Sequence, residues 1–286
     1  MTDSLKSYFN SLLQQPITKI SRVSGGDISQ AYRIETATNS YFLKLNNATN
    51  ALTMFQTETY GLETIAKTNT IKTPTVLACD SFKDSAFLFM EFIESKSPST
   101  KDFINLGEQL AKLHESTCDT YGLDHDNFIG RLPQSNTEHS AWVDFYTYER
   151  LLPQLELAKQ RRLLLSSECP SVTHIKTQLK PLFEDIKPSL LHGDLWSGNY
   201  LISKNGEPYL IDPAVYYGHH EVDIAMSKLF GGFGDAFYER YFSRIPSSEH
   251  SSARIEIYQL YFLLVHLNMF GRSYYGSVSS ILRKYF

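Results

Sequence analysis

The apolar residues of this chain shift from mostly β-type to mostly helical spacing near residue 96, and that shift limits the possible folds. Before it, short β-type runs at 17–23, 31–36, 41–45, 74–79 and 86–93 are separated by turn-forming clusters such as Ser-Gly-Gly-Asp and Thr-Asn-Ser. One amphipathic helix, 51–67, lies among them. Another opens the chain with Leu5, Phe9, Leu12 and Leu13 on one face, capped by Thr2 or Asp3 and closed by Pro16. After Lys-Ser-Pro-Ser-Thr (96–100), helical spacing takes over at 101–116, at 142–165 with an interruption near Pro153, and at 170–186. Two short strands, 200–203 and 209–211, follow around the turn Lys-Asn-Gly-Glu-Pro, and the remainder is mostly helical. This order predicts an α+β fold: a β-rich lobe over 1–93, a mostly helical lobe over 94–286, and a ligand cleft between them.

With 286 residues, 42% hydrophobic and 13% aromatic, the chain can build two cored lobes and does not have the composition of a disordered protein. Its formal charge of -4 and the lack of a basic stripe argue against a nucleic-acid partner. Cys79, Cys118 and Cys169 form no CxxC pair, so no zinc site or disulfide framework is expected and a reducing compartment suits them. The first residues lack a basic segment followed by an apolar core, and the longest apolar run, 260–265, is too short to span a bilayer. The expectation is a cytoplasmic protein without a membrane partner, monomeric or weakly dimeric.

The chemistry concentrates in Leu-Leu-His-Gly-Asp-Leu-Trp-Ser-Gly-Asn-Tyr-Leu, residues 190–201. Asp194 and Asn199 are five residues apart, and Asp212 follows Asn199 by thirteen at the end of the predicted hairpin. Asn199 and Asp212 offer Mg²⁺ the hard oxygen ligands it takes beside substrate phosphates. Asp194 is left free to accept a proton from a hydroxyl. Upstream, Lys44 on a strand needs a partner if buried, and Glu58 on the next helix can supply it and hold the ammonium toward nucleotide phosphates. Gly25, Gly26 and Asp27 sit between the first two strands, where glycine lets backbone approach phosphate. Each piece has a plain structural reading: a hairpin turn, an edge lysine, an aspartate capping its own loop, a satisfied histidine at His192. Their joint order is that of the protein-kinase signature set.

The segments His-Gly-Asp-Leu-Trp-Ser-Gly-Asn and Ile-Asp-Pro-Ala resemble the catalytic and metal segments of protein-kinase-like phosphotransferases that act on small molecules. With Trp196, residues 127–136 (NFIGRLPQSN), 221–233 (EVDIAMSKLFGGF) and 260–271 (LYFLLVHLNMFG), the chain is similar to the fructosamine kinase (ketosamine-3-kinase) family over essentially its whole length. The resemblance implies a bilobal protein-kinase-like fold and an ATP- and Mg²⁺-dependent kinase for the 3-hydroxyl of ketoamine adducts, fructosamine, ribulosamine or erythrulosamine, on protein lysines or free amines. It implies Asp194 as base, Asn199 and Asp212 as metal ligands, Lys44 and Glu58 as the phosphate-holding pair, and Met90, Glu91, Phe92 and Ile93 as the adenine-binding hinge. Other acceptors in the wider superfamily are aminoglycosides, choline or sugars, and a silent nucleotide-binding scaffold is the reading from another class.

Three departures carry information. Ordinary protein kinases have an arginine where this chain has Gly193, so phosphorylation of an activation loop is not expected to switch it on. Asp212 precedes Pro213, whose fixed φ disfavours a large flip of this segment. Only seven residues separate Pro213 from Glu221, too few for a peptide-docking segment, so the acceptor group is small. Trp196 is either core or a platform under the acceptor, and Tyr217, Phe230, His266 and Tyr274 are further candidates for that pocket, each with core packing as the alternative. Asp223 is expected to anchor the catalytic loop and His114 to be a buried, bonded histidine. Some family members carry a cysteine in the glycine-rich loop; Asp27 stands there, so no redox switch is expected through it.

Overall fold

The computed structural model describes residues 3–23 and 29–286, so Thr2 and the loop holding Gly25, Gly26 and Asp27 lie outside the described residues. Five strands, β1 (Lys19–Arg22), β2 (Gln30–Glu35), β3 (Ser40–Asn46), β4 (Val76–Phe82) and β5 (Ser85–Glu91), form one antiparallel sheet in the order β1-β2-β3-β5-β4. β5 is buried from Ala86 to Met90 because both its faces are covered. Phe87 and Phe89 pack with Leu5 and Phe9 of helix α1 (Asp3–Leu13). Ala86, Leu88 and Met90 pack with Phe55 and Leu62 of helix α2 (Ala51–Lys67). Side chains alternate along a strand, so a continuous apolar run signals two covered faces.

The chain leaves the sheet at Phe92 and enters α3 (Thr100–His114) through a capping box. Ser99 Oγ accepts from the Asp102 N–H, and Asp102 Oδ2 accepts from the Ser99 N–H at 2.8 Å. The helical part continues with a hairpin of β6 (Asn127–Ile129) and β7 (Leu132–Gln134), then α4 (Trp142–Phe145), α5 (Leu152–Gln160) and α6 (Val172–Leu179). Four short strands follow: β8 (Ser189–Leu191), β9 (Tyr200–Ile202), β10 (Pro208–Leu210) and β11 (Tyr216–Gly218). Helices α7 (Glu221–Leu229), α8 (Asp235–Arg244), α9 (Ser251–Phe270) and α10 (Tyr275–Tyr285) complete the chain. α9 is apolar nearly all round and lies at the centre, packed by α5, α7 and α10.

Two helices differ from expectation. Pro153 does not interrupt 142–165: it sits in the first turn of α5, where a missing N–H costs nothing, and the irregularity is a π-helical stretch before it, Tyr146–Leu151. That helix ends at Gln160, just before Arg162 takes a φ of 57°. The helix expected over 170–186 stops at Leu179 and tightens into the 3₁₀ turn Lys180–Leu182, because Pro181 has no N–H to continue the ladder.

Candidate active site

Strand β8 delivers the chain into residues 192–199, and the β9–β10 hairpin returns it to Asp212 beside them. Leu210 pairs with Tyr200, and the Ile211 N–H donates to the Asn199 carbonyl at 3.0 Å, so residues distant in sequence become neighbours. The Ala214 N–H donates to the His192 carbonyl at 2.8 Å. The buried His192 ring laces the same two segments: Nδ1 accepts from the Asp194 N–H at 3.2 Å, leaving Nε2–H to donate to the Ile211 carbonyl at 2.9 Å. Burial holds its pKa below the usual histidine value, consistent with this neutral tautomer.

Gly193 has a φ of +84°, and a Cβ there would stand 2.1 Å from the Ala214 carbonyl oxygen, so the strands can close only on glycine. Asp223 of α7 grips the loop from beneath, its two oxygens accepting from the N–H groups of His192 (2.7 Å) and Gly193 (2.9 Å). His114 Nε2 lies 3.1 Å from the same carboxylate and its Nδ1 meets the Tyr241 hydroxyl at 2.7 Å. Burial works against the Asp223 charge, but the His114 hydrogen bond and charge, with His192 and the loop N–H, hold its pKa below the ordinary carboxylate value. Both expectations for Asp223 and His114 are met in this geometry.

Asn199 is buried and its amide Nδ2 donates to Asp194 twice, to the backbone carbonyl at 2.8 Å and to Oδ2 at 3.1 Å. Its Oδ1 is left without a hydrogen-bond partner among the described residues. Burial first, and Asp212 second, push the Asp194 carboxyl up to about 7 against the pull of Asn199. Lys44, on β3, sits 2.7 Å from Glu58 Oε1 on α2 and also pairs with Asp212 Oδ1. Burial disfavours the Lys44 charge, yet Asp212 and Glu58 outweigh it and hold the ammonium pKa above its ordinary value. An amide oxygen and a carboxylate on neighbouring segments, both hard donors, fit a magnesium ion's donor preference.

Asp212 has a φ of 54°, uncommon for any residue but glycine and disfavoured again by the proline that follows. Such a conformation costs on the order of 1–3 kcal/mol and persists only where the surroundings fix it. Part of the fixing comes from α2: a Cβ at Gly61 would stand 2.9 Å from Pro213 Cγ, so the helix bearing Glu58 rests directly on the Asp212 segment.

The four predicted hinge residues divide. Met90 and Glu91 remain in β5, paired with Phe42 and Tyr41 of β3, and the Glu91 N–H is taken by the Thr75 carbonyl at 2.9 Å. Phe92 and Ile93 lie beyond the strand, with the Arg33 guanidinium 4.5 Å from the Phe92 ring centre and 2.5 Å from Glu94. The connection is stitched to the catalytic hairpin, since Lys204 N–H donates to the Glu94 carbonyl and Lys96 N–H to the Ile202 carbonyl, both at 2.9 Å.

Of the residues expected in the acceptor pocket, Trp196 is 39% exposed and so is not a core residue; its ring lies over Gly198, where a Cβ would stand 2.4 Å from it. Phe230 and His266 are brought together at 4.8 Å between ring centres, and His266 and Tyr274 at 5.1 Å. Phe230 is 38% exposed. Phe270, 47% exposed and 5.5 Å from His266, belongs to the same group and was not anticipated, although its place four residues after His266 puts it on the same helix face. Tyr217 stands apart: it is half-buried, its backbone pairs with Gly122, and no ring contact among the described residues joins it or Trp196 to that group. His219, His220 and Glu221 also converge, but Arg254 already holds both Glu221 oxygens at 2.6 and 2.9 Å.

With this geometry stands a family relationship. Residues 1–286 match the model of the family described as fructosamine kinase. The chain belongs to the fructosamine kinase family. It is 39% identical over 279 residues to a protein named "Probable ketoamine kinase" from Lactiplantibacillus plantarum, covering 96% of this chain and 98% of that one. It is 40% identical over 275 residues to the chloroplastic protein-ribulosamine 3-kinase of Arabidopsis thaliana, covering 94% and 83%. A solved structure from Haemophilus somnus, provisionally described as a fructosamine-3-kinase, matches with a TM-score of 0.88 at 27% identity, covering 99% of this chain and 96% of that one. An aminoglycoside phosphotransferase solved with ADP and hygromycin B shares the fold, with a TM-score of 0.66 at 17% identity over 98% of each chain. This fructosamine kinase family member is thus an ATP-dependent phosphotransferase with a bilobal, protein-kinase-like fold.

Proposed function

We propose that this chain phosphorylates the 3-hydroxyl of ketoamine adducts, fructosamine, ribulosamine or erythrulosamine, carried on protein lysines or free amines. The product's 3-phosphate makes the adduct labile, so the role is deglycation. The observation that carries the reading is the junction of Asp194 and Asn199 with Asp212 and the Lys44–Glu58 pair, in a chain whose relatives are named ketoamine kinases.

Asp194 orients the acceptor hydroxyl and takes its proton as the oxygen attacks. The Asn199 amide fixes the Asp194 carboxylate for that task. Lys44, held by Glu58, neutralises phosphate charge. Asn199 Oδ1 and Asp212 would hold magnesium, which when bound supplies charge neutralisation between the transferring phosphates. Phe92 and Ile93, with the end of β5, form the adenine edge where the lobe 1–93 meets the lobe 94–286. Trp196 underlies the adduct's carbon skeleton, with Phe230 and His266 further along the wall. The three half-buried free cysteines suit a cytoplasmic setting. No helix among the described residues is long and apolar enough to cross a membrane.

An ATP-consumption assay run side by side on a ribulosamine, a fructosamine, an aminoglycoside and choline tests the acceptor. Turnover of the ketoamines is expected. Turnover of the aminoglycoside or choline alone would overturn the reading.

A further inference from the structure

The segment that carries Asp212 must be fixed on both sides if its left-handed conformation is to persist. Upstream, Ile211 is held by Asn199 and His192. Downstream, beside the Ala214 N–H, the Val215 carbonyl accepts from Asn127 Nδ2 at 2.8 Å. Asn127 is in β6, a distant hairpin strand, and is the only side chain among the described residues that hydrogen-bonds the backbone of 212–217.

Asn127 is itself held. Gln134 Nε2 donates to Asn127 Oδ1 at 2.7 Å, and the Tyr261 hydroxyl of α9 donates to Gln134 Oε1 at 2.5 Å. All three side chains are buried. The bonds run in one direction, donor to acceptor, from α9 through the hairpin to Val215, the arrangement in which each bond polarises the next. Burying two amides and a phenol is unfavourable unless each is satisfied, and apolar side chains of similar size would hold a hairpin core as well. What the polar relay adds is one permitted position for the Val215 carbonyl. Val215 is also where α2 arrives, since a Cβ at Gly61 would stand 3.4 Å from Val215 Cγ1.

We propose that Asn127 is a positioning residue for Asp212, with Gln134 and Tyr261 holding it in register. This rests on Asp212 being a magnesium ligand, as in the function proposed above. Groups bonded directly to a metal ligand are worth about 10–100-fold in metal affinity or activity, and Asn127, acting through the backbone three residues away, is expected at the lower end of that range.

The test compares Asn127→Ala, Tyr261→Phe and Asp212→Asn with the parent protein, measuring ADP binding by calorimetry without and with magnesium, and kcat and KM for a ribulosamine. For Asn127→Ala, metal-free ADP binding stays within about twofold, the magnesium-dependent gain in ADP affinity falls about tenfold, kcat falls about tenfold or more, and the ribulosamine KM is unchanged. Tyr261→Phe removes one hydroxyl and reproduces the same pattern at about threefold, and it decides the matter if Asn127→Ala does not fold. A parent-like magnesium gain in Asn127→Ala, or a kcat loss that only follows the folded fraction, overturns the proposal. If Asp212→Asn loses the magnesium gain while Asn127→Ala keeps it, this inference alone fails. If Asp212→Asn keeps it, the reading of Asp212 fails and the inference goes with it.

Discussion

Around Asp194 nearly every polar group is tied to another, whereas Phe230, His266, Phe270 and Tyr274 are held mainly by contacts between their rings. Asp223, His114, His192 and Asn199 bind the catalytic loop through backbone and side-chain hydrogen bonds. In that aromatic group the side-chain hydrogen bond among the described residues is the one from His266 Nδ1 to the Phe262 carbonyl at 2.8 Å. Phe230 is followed by Gly231, Gly232 and Gly234, with φ values of 104°, 72° and 85°. A Cβ at 231 or 234 would meet nothing within 4 Å, so these glycines serve backbone conformation and not close packing. Phosphoryl transfer needs a nucleophile and phosphates fixed in line, so that side tolerates little displacement. If the aromatic group faces the acceptor as proposed, its few directional bonds suit adducts borne on different amines.

The contrast breaks most sharply at Asp194. Asp194→Asn should lower kcat by about 10³-fold, within the range for losing a general base, with the ATP KM nearly unchanged in steady-state kinetics. Its melting temperature should not fall, because a buried carboxylate facing Asp212 has been neutralised. Equal turnover in the two proteins would remove Asp194 from the mechanism. Next comes Gly193→Ala: the clash with Ala214 and the left-handed backbone should cost about 2 kcal/mol or more in urea unfolding. Trp196→Ala sharpens the other side: the ketoamine KM should rise about tenfold at constant ATP KM, in line with the loss of one aromatic contact. An unchanged ketoamine KM would return Trp196 to a surface role. The smallest effect lies away from the cleft, at the α3 cap. The Lys96 ammonium, then the Ser99 hydroxyl and N–H, hold the Asp102 carboxyl down at about 2 from its ordinary 3.8. A depressed carboxylate stabilises the fold above pH 3.8, and that contribution is lost as pH falls toward 2. Asp102→Asn should therefore flatten acid unfolding in that window, followed by circular dichroism.

Much of this was readable beforehand, for local reasons. Helix α2 runs from Ala51 to Lys67 as its apolar period indicates, and β5 declares two covered faces by its unbroken apolar run. Asp194, Asn199 and Asp212 could be grouped because a single tight hairpin separates the last two. The pairing of His114 with Asp223, and of Asn127 with Val215, could not be read in that way. His114 is 109 residues from Asp223, and Val215 is 88 residues from Asn127, and no periodicity carries information across such distances. The three-residue strands β6, β7, β8 and β11 are too short to alternate visibly, and the π-helical stretch before Pro153 is set by the packing of Arg150 among Phe145, Tyr216 and Tyr261 as much as by local sequence.

Gly193 has a bearing on how such kinases can diversify. The phosphate-sensing arginine of ordinary protein kinases occupies this position, and one codon change could in principle introduce it here. With the Ala214 carbonyl 2.1 Å from where a Cβ would go, any side chain at 193 requires the segment just before strand β11 to shift. At this position a new side chain is therefore a change of backbone as well, and the absence of Cβ is what lets residues 192–194 lie against Ala214.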